Sequence, residues 1–75
     1  MTRVPPLKSR EAVRALNKLG FHIVRQKGSH ATFFHEDGRR AMIPLHPSRT
    51  ISPFLIADAL KQLDIGEDEF LRALK

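Results

Sequence analysis

The 75-residue chain carries 13 lysine and arginine residues against 8 acidic ones, which gives a net charge of +5 and an isoelectric point of about 10.5. A chain this short forms one domain with a small core. It has no cysteine, which excludes disulfides and thiolate metal sites. Its start lacks the apolar run of a signal peptide and no segment is apolar enough to span a bilayer, so we expect a cytoplasmic protein without membrane contact.

The positive charge is concentrated in the first two thirds of the chain. Residues 1–50 contain ten Lys or Arg and three acidic residues, whereas residues 51–75 contain three and five. This segregation predicts that the first part binds a polyanion, and nucleic acid is the commonest large polyanion in a cytoplasm. An acidic partner protein that competes for the same face is the alternative.

The chain is predicted to begin with an extended segment followed by an amphipathic helix. Two prolines keep residues 1–8 extended, and Ser9 is the expected N-cap of a helix over residues 10–19. Apolar residues recur there at helical spacing, with basic residues on the opposite side. Gly20 supplies the left-handed residue that ends the helix.

Three strands are predicted next, over residues 21–26, 30–35 and 39–43. The loop before the third strand decides which side chains share a face. A two-residue loop pairs Phe33 with Met42, whereas a three-residue loop with a left-handed Gly38 pairs Phe33 with Ala41. We favour the three-residue loop because it separates polar from apolar side chains better. It puts Ala31, Phe33, Ala41 and Ile43 in the core, and leaves His30, Thr32, Arg40, Met42 and an exposed Phe34 outside.

Two helices complete the predicted fold. Ser52 and Pro53 start the first of these, and acidic residues from Glu67 onward start a short C-terminal helix. The order is therefore α-β-β-β-α with an extra C-terminal helix, an α+β fold with a three-stranded antiparallel sheet covered by helices on one face. A double-stranded-RNA-binding domain has the same order. The apolar stripe of the longer helix consists of Ile56, Ala59, Leu60 and Leu63.

The turn at residues 25–30 holds the candidate site. Histidine exchanges a proton near neutral pH. Lys27 can hold a phosphate as a point charge, Gly28 lets the backbone approach a ligand closely, and Ser29 adds a hydroxyl. The turn therefore has the groups needed to hold a phosphodiester beside His30. In a plainer interpretation, His30 only begins an exposed strand.

Several segments taken together resemble the HicA family of toxin endoribonucleases, from about Ser9 to Leu74. The resemblance implies a single HicA-like toxin domain over residues 1–75. It further implies an mRNA interferase that cleaves RNA without metal or ribosome and is held inactive by a HicB-type antitoxin. The family's catalytic histidine falls on His30. The segments that carry the resemblance are residues 20–21, 25–30, 35–39 and 44–47, together with Phe33 and the helix over residues 56–63.

The reaction expected of this turn is transesterification, with His30 as general base or acid. Lys27, with Arg25, Arg39 or Arg40, is expected to stabilise the charge that develops on the phosphate. No cofactor or metal is expected, because the four histidines lack compact ligand spacing. The predicted RNA-binding residues are Arg25, Lys27, Gly28, Ser29, Arg39 and Arg40.

The other three histidines are predicted to have lesser roles. His35 lies an odd number of positions from His30 along a strand, so the two point to opposite faces. His22 is expected to be an exposed strand residue. His46 precedes a proline and is expected to fix its turn by a hydrogen bond, with a direct role at the site as the alternative.

Two other functions compete with the nuclease interpretation. The first is a non-catalytic RNA-binding module of similar fold, in which His30 contacts a phosphate or a 2′-hydroxyl. The second is an operator-binding protein, which is disfavoured because no helix pair has helix-turn-helix spacing. DNA contact is then expected only indirectly, through an antitoxin complex.

Overall fold

A three-stranded antiparallel sheet is the centre of the fold in the computed structural model, which describes residues 2–75. Helices cover one face of this sheet, and a separate pair of two-residue strands joins the N-terminal segment to the loop before the second helix. The elements in chain order are β1 (Leu7–Lys8), α1 (Ser9–Lys18), β2 (His22–Lys27), β3 (His30–Phe34), β4 (Arg40–Pro44), β5 (Thr50–Ile51), α2 (Pro53–Gln62) and α3 (Glu67–Ala73).

The predicted α-β-β-β-α order with a short C-terminal helix is confirmed. The sheet order is β2-β3-β4, so consecutive strands are neighbours. α2 packs on β4, α1 packs on β2, and α3 packs on α1. The layout matches that of a double-stranded-RNA-binding domain.

The three-residue loop predicted between β3 and β4 is confirmed. The N–H of His35 donates to the carbonyl of Arg39, and the N–H of Gly38 donates to the carbonyl of His35, both at 2.9 Å. Gly38 has a φ of +99°, which only glycine adopts easily. Phe33 therefore pairs with Ala41, and the predicted core face, Ala31, Phe33, Ala41 and Ile43, is buried.

Phe34 is half-buried, although it was expected to be exposed. It lies in the middle strand, opposite His22 on one side and Arg40 on the other. Side chains directly across a sheet approach within about 5 Å, so both neighbours cover part of the ring.

The start of α1 differs from the prediction. Lys8, rather than Ser9, is the N-cap, and its N–H donates to the Glu11 carboxylate at 2.9 Å. Lys8 is held extended because it pairs with Thr50 between β1 and β5, so the helix begins one residue earlier. The Ser9 hydroxyl instead donates to the carbonyl of His46 at 3.2 Å.

Both long helices end in Schellman motifs. After α1, the N–H of Phe21 donates to the carbonyl of Leu16 at 2.9 Å, and Gly20 takes the left-handed conformation with a φ of +91°. After α2, Asp64 takes that conformation with a φ of +55°. The predicted stop at Gly20 is confirmed, as is the predicted start of α2, where the Ser52 hydroxyl accepts from the Phe54 N–H at 3.2 Å.

Replacing Gly20 by Ala is expected to destabilise the protein more than replacing Gly38. Both substitutions force a left-handed alanine, at about 1–2 kcal/mol each. A Cβ at Gly20 also lies 2.9 Å from Nε2 of His35, whereas a Cβ at Gly38 meets nothing within 4 Å. The His35 ring cannot easily move, because it packs on Phe21 and its Nδ1 accepts from the Asp37 N–H. Crowding of this kind adds roughly 1–3 kcal/mol.

The free energies of unfolding in urea measure this difference. Equal losses for Gly20→Ala and Gly38→Ala would show that the contact with His35 does not constrain the fold.

Candidate active site on the open sheet face

A two-residue turn sets the position of His30. Lys27 and His30 pair directly across β2 and β3, with only Gly28 and Ser29 between them. Gly28 has a φ of +61° and Ser29 does not have a positive φ, which is the pattern of a type II′ turn. The turn is attached to the segment after β4, because the carbonyl of Ser29 accepts from the N–H of Leu45. His30 is therefore held opposite a lysine at a fixed point of the sheet.

A bulge in β2 lies just beyond the part of the strand that faces His30. Ile23 pairs with Phe33, but Arg25 pairs with Thr32, so Val24 is an extra residue in the strand. Between the bulge and the turn the pairing is regular, so Arg25, two residues from Lys27, lies on the same face as Lys27 and His30. Without the bulge, Val24 instead of Ile23 would lie opposite Phe33. The turn therefore places both cations beside His30, and the bulge changes the alternation only farther along β2.

The open face of the sheet has a shallow cavity of about 240 Å³ around His30. The histidine is exposed, as are the two cations of β2 beside it. The three strands contain no acidic residue. This cavity, which we call the His30 cavity, is lined by Arg25, Lys27, His30, Thr32 and Met42.

The cations of this face are not neutralised by carboxylates. Within residues 2–75, the ion pairs between Arg or Lys and a carboxylate join Arg3 to Asp68 and Arg39 to Asp37. None of them involves a residue of the His30 cavity. The cavity therefore presents two unpaired positive charges beside an exposed imidazole, which suits an anionic ligand.

Arg40 lies on the same open face but at its other end. It pairs with Phe34, four residues along β4 from Pro44, the partner of His30. Four residues of strand span about 13 Å. Arg40 is thus placed to contact a distant part of an extended ligand rather than a group that reacts at His30.

The structure does not bring Arg39 to this face. Its Nη1 donates to the carbonyl of Leu63 at 2.8 Å and to that of Asp64 at 3.3 Å, where α2 ends. Its guanidinium also lies 5.0 Å from the centre of the Phe21 ring. Arg39 therefore holds the covered side of the hairpin against α2. Its positive charge also interacts favourably with the negative C-terminal end of the helix dipole.

Asp37 completes this brace. Its carboxylate accepts from the Arg39 N–H at 3.1 Å and from Nε of Arg39 at 2.8 Å. The backbone hydrogen bond lowers the pKa of Asp37, partial desolvation opposes this, and the guanidinium lowers it further. The ionised form stabilises the loop above the ordinary aspartate pKa, and that contribution is lost as the pH falls through the lowered pKa of the folded state.

The remaining histidines, His22, His35 and His46, do not line the His30 cavity. His35 faces the covered side, as predicted, with its ring 5.0 Å from that of Phe21. His22 is exposed, also as predicted. The hydrogen bonds found for His46 within residues 2–75 use its main-chain carbonyl, which accepts from Ser9 and from the N–H of Arg49. The predicted turn-fixing hydrogen bond is thus made by the backbone of His46.

Two residues of the His30 cavity, Thr32 and Met42, were not among the predicted site residues. The strand alternation predicts that both side chains face outwards with His30, and it is the feature of the sequence that could have identified them. Among residues 2–75, no three His, Asp or Glu side chains lie close enough together to hold a metal ion. Within the same residues, no helix is both long and apolar enough to cross a membrane.

Comparison with known proteins gives one family. Residues 9–65 match the family model described as the HicA toxin of bacterial toxin-antitoxin. The match includes the whole sheet and α2, hence every residue of the His30 cavity. No curated protein sequence matches the chain.

The two adjacent arginines are expected to differ in their effect on stability. Arg39→Gln removes charged hydrogen bonds to the end of α2, so we expect it to lower the free energy of unfolding by roughly 1–3 kcal/mol. Arg40→Gln removes an exposed side chain that makes no ion pair within residues 2–75, so less than about 0.5 kcal/mol is expected. Urea unfolding of both variants tests the assignment, and equal losses would contradict it.

Proposed function

This chain belongs to the HicA toxin family, and we propose that it is an endoribonuclease that cleaves mRNA without a metal ion or the ribosome, with His30 as its catalytic residue. The observation that carries the proposal is the exposed imidazole of His30 in a cavity with Arg25 and Lys27, on a sheet face whose strands have no acidic residue. A phosphodiester bound there has cations beside it and a proton carrier at hand.

The proposed reaction is an internal transesterification. His30 takes the proton of a ribose 2′-hydroxyl as that oxygen forms a bond to the adjacent phosphorus. The bond from phosphorus to the 5′-oxygen breaks, and the leaving oxygen takes a proton from the histidinium or from water. The products are a 2′,3′-cyclic phosphate and a free 5′-hydroxyl. The reaction changes no oxidation state, and proton transfer alone completes it, so neither an oxidant nor a metal ion is required.

Lys27 and Arg25 supply the electrostatic part of the proposal. Lys27 is directly opposite His30, and Arg25 is opposite Thr32 on the same face. A cation within a few ångströms of the phosphoryl oxygens stabilises the charge that develops in the transition state. The His30 cavity contains one histidine and no carboxylate, so a single group moves the proton and we expect a slow enzyme.

The RNA-binding surface extends beyond the reacting group. Gly28 and Ser29 let the backbone of the turn approach a phosphate, and Arg40 holds a more distant one. The half-buried ring of Phe34 lies directly across from Arg40 and offers a stacking surface for a base.

Removal of the histidine tests the nuclease proposal. A structured RNA with single-stranded regions is incubated with the protein in excess EDTA. The wild type is expected to give fragments that end in 2′,3′-cyclic phosphate. His30→Ala is expected to cleave about 10²–10⁴-fold more slowly while still binding RNA. His22→Ala is the matched control, since His22 is another exposed strand histidine and its loss is expected to change the rate less than about twofold.

Three results would overturn this proposal. Binding without cleavage by the wild type indicates a non-catalytic RNA-binding module. If the two histidine variants lose the same fraction of the rate, His30 is not the catalytic residue. If cleavage stops in EDTA and returns with a divalent cation, the reaction depends on a metal ion.

We also propose a HicB-type antitoxin as the partner, with any DNA contact made mainly by that protein. The open sheet face is basic and carries exposed Met42 in the middle of the edge strand β4, which suits an acidic protein surface that competes with RNA. Inhibition then follows from direct covering of His30.

Lysine labelling of the complex tests the position of the antitoxin. Lys27 and Lys61 are both exposed in the free protein. In the complex, acetylation of Lys27 is expected to fall at least about tenfold, because its amine is buried under the partner, while Lys61 stays reactive. Mass spectrometry of the labelled peptides gives both rates. Protection confined to residues 60–75 would contradict the proposed interface.

A further inference from the structure

A second basic cleft lies on the other side of the turn that carries His30. It consists of two adjoining cavities, of about 370 and 280 Å³, that share Lys8, Arg10 and Pro47. We call it the α1 cleft, because it follows the start of that helix. The first cavity is also lined by Ser9, Gln26 and Leu45, and the second by Ser48, Arg49 and Thr50.

Three cations of the α1 cleft are free to bind an anion. Lys8, Arg10 and Arg49 are exposed, and none takes part in an ion pair within residues 2–75. The carboxylate next to Lys8 and Arg10 in the chain belongs to Glu11, which is half-buried and accepts a hydrogen bond from the main-chain N–H of Lys8. The hydroxyls of Ser48 and Thr50 add donors at the wall of the cleft. Three cations with hydroxyl donors form a surface that recognises phosphate.

The α1 cleft and the His30 cavity adjoin along the end of β2. Gln26 lines the α1 cleft, while its two neighbours, Arg25 and Lys27, line the His30 cavity. Alternation along the strand explains this division between the two faces. The hydrogen bond from the Leu45 N–H to the Ser29 carbonyl joins the wall of the cleft to the turn itself. A chain that passes over Gly28 and Ser29 can therefore touch both sites.

We propose that the α1 cleft binds backbone phosphates of the RNA that the His30 cavity cleaves, so that the strand crosses the turn and is held on both sides of it. This inference rests on the proposed function for its ligand. RNA is favoured over a small anion because the cations are spread over two connected cavities rather than gathered around one point. The cleft contributes affinity for long RNA and takes no part in the chemical step.

Salt dependence of binding measures the phosphate contacts directly. Each phosphate contact in a single-stranded complex contributes about 0.7 to the slope of log K against log salt concentration. In a His30→Ala background, which prevents cleavage, the pair Arg10→Gln with Arg49→Gln is expected to reduce the slope by about 1.4, since two contacts are lost. The affinity for an RNA of about 20 nucleotides is expected to fall at least tenfold at 100 mM salt.

Two double variants test whether phosphate contacts or the net charge of the protein cause the change in slope. Lys61→Gln with Arg72→Gln also removes two positive charges, but from exposed positions of α2 and α3, and is expected to leave the slope nearly unchanged. Arg10→Lys with Arg49→Lys keeps the charge in the cleft and is expected to retain most of the slope. Circular dichroism checks that every variant is folded.

A dinucleotide substrate distinguishes this inference from the proposed function. It spans only the His30 cavity, so the active Arg10→Gln, Arg49→Gln protein is expected to cleave it at the wild-type rate while KM for long RNA rises. If the wild type binds RNA with the expected salt dependence but never cleaves it, the nuclease proposal is contradicted and the proposed RNA binding by the α1 cleft is supported. Equal slopes for the cleft pair and the control pair would overturn the cleft. So would a cleft pair that weakens antitoxin binding and leaves RNA binding intact.

Discussion

The register of β3 is the constraint on which the rest of the molecule depends. As the middle strand, β3 buries Ala31 and Phe33, and it leaves His30 exposed and Thr32 half-buried on the opposite face. A slip of one residue would reverse every one of these side chains, taking His30 into the core and an apolar ring out of it. The core and the candidate site are therefore specified by the same alignment. Burial of the apolar face is what holds the histidine on the open one.

Two different devices hold that register, one on each side of β3. Towards β4, the three-residue loop with its left-handed Gly38 sets the pairing. Towards β2, the tight turn at Gly28 and Ser29 aligns the start, and the extra residue Val24 shifts the alternation farther along. The same alternation separates Arg39, which braces α2, from Arg40 on the open face. Two identical neighbouring side chains thus take different roles because successive residues of a strand face opposite ways.

The sequence predicted those features that local chemistry decides. The element order, the stop at Gly20, the start at Ser52 and the pairing of Phe33 with Ala41 follow from glycine, proline and alternation. The pair β1–β5 was missed because two-residue strands have no periodicity, and their partners are far apart in the chain. Local pattern also predicts Ser9 as a helix cap and groups Arg39 with the cations of the site. Their actual contacts are with His46 and with the end of α2, which no local pattern indicates.

The buried core consists only of apolar residues, so the residues that stabilise the fold are different from those proposed to bind RNA. Within residues 2–75, no polar or charged residue is buried, so the cations and the imidazole proposed to act on RNA all lie at the surface. Exposed substitutions away from caps and special backbone positions rarely change stability by more than about 0.5 kcal/mol. The cavity around His30 and the cleft beside α1 can therefore vary in charge without loss of the fold. A small domain with little stability to spare can in this way change its RNA contacts while the buried face of the sheet stays the same.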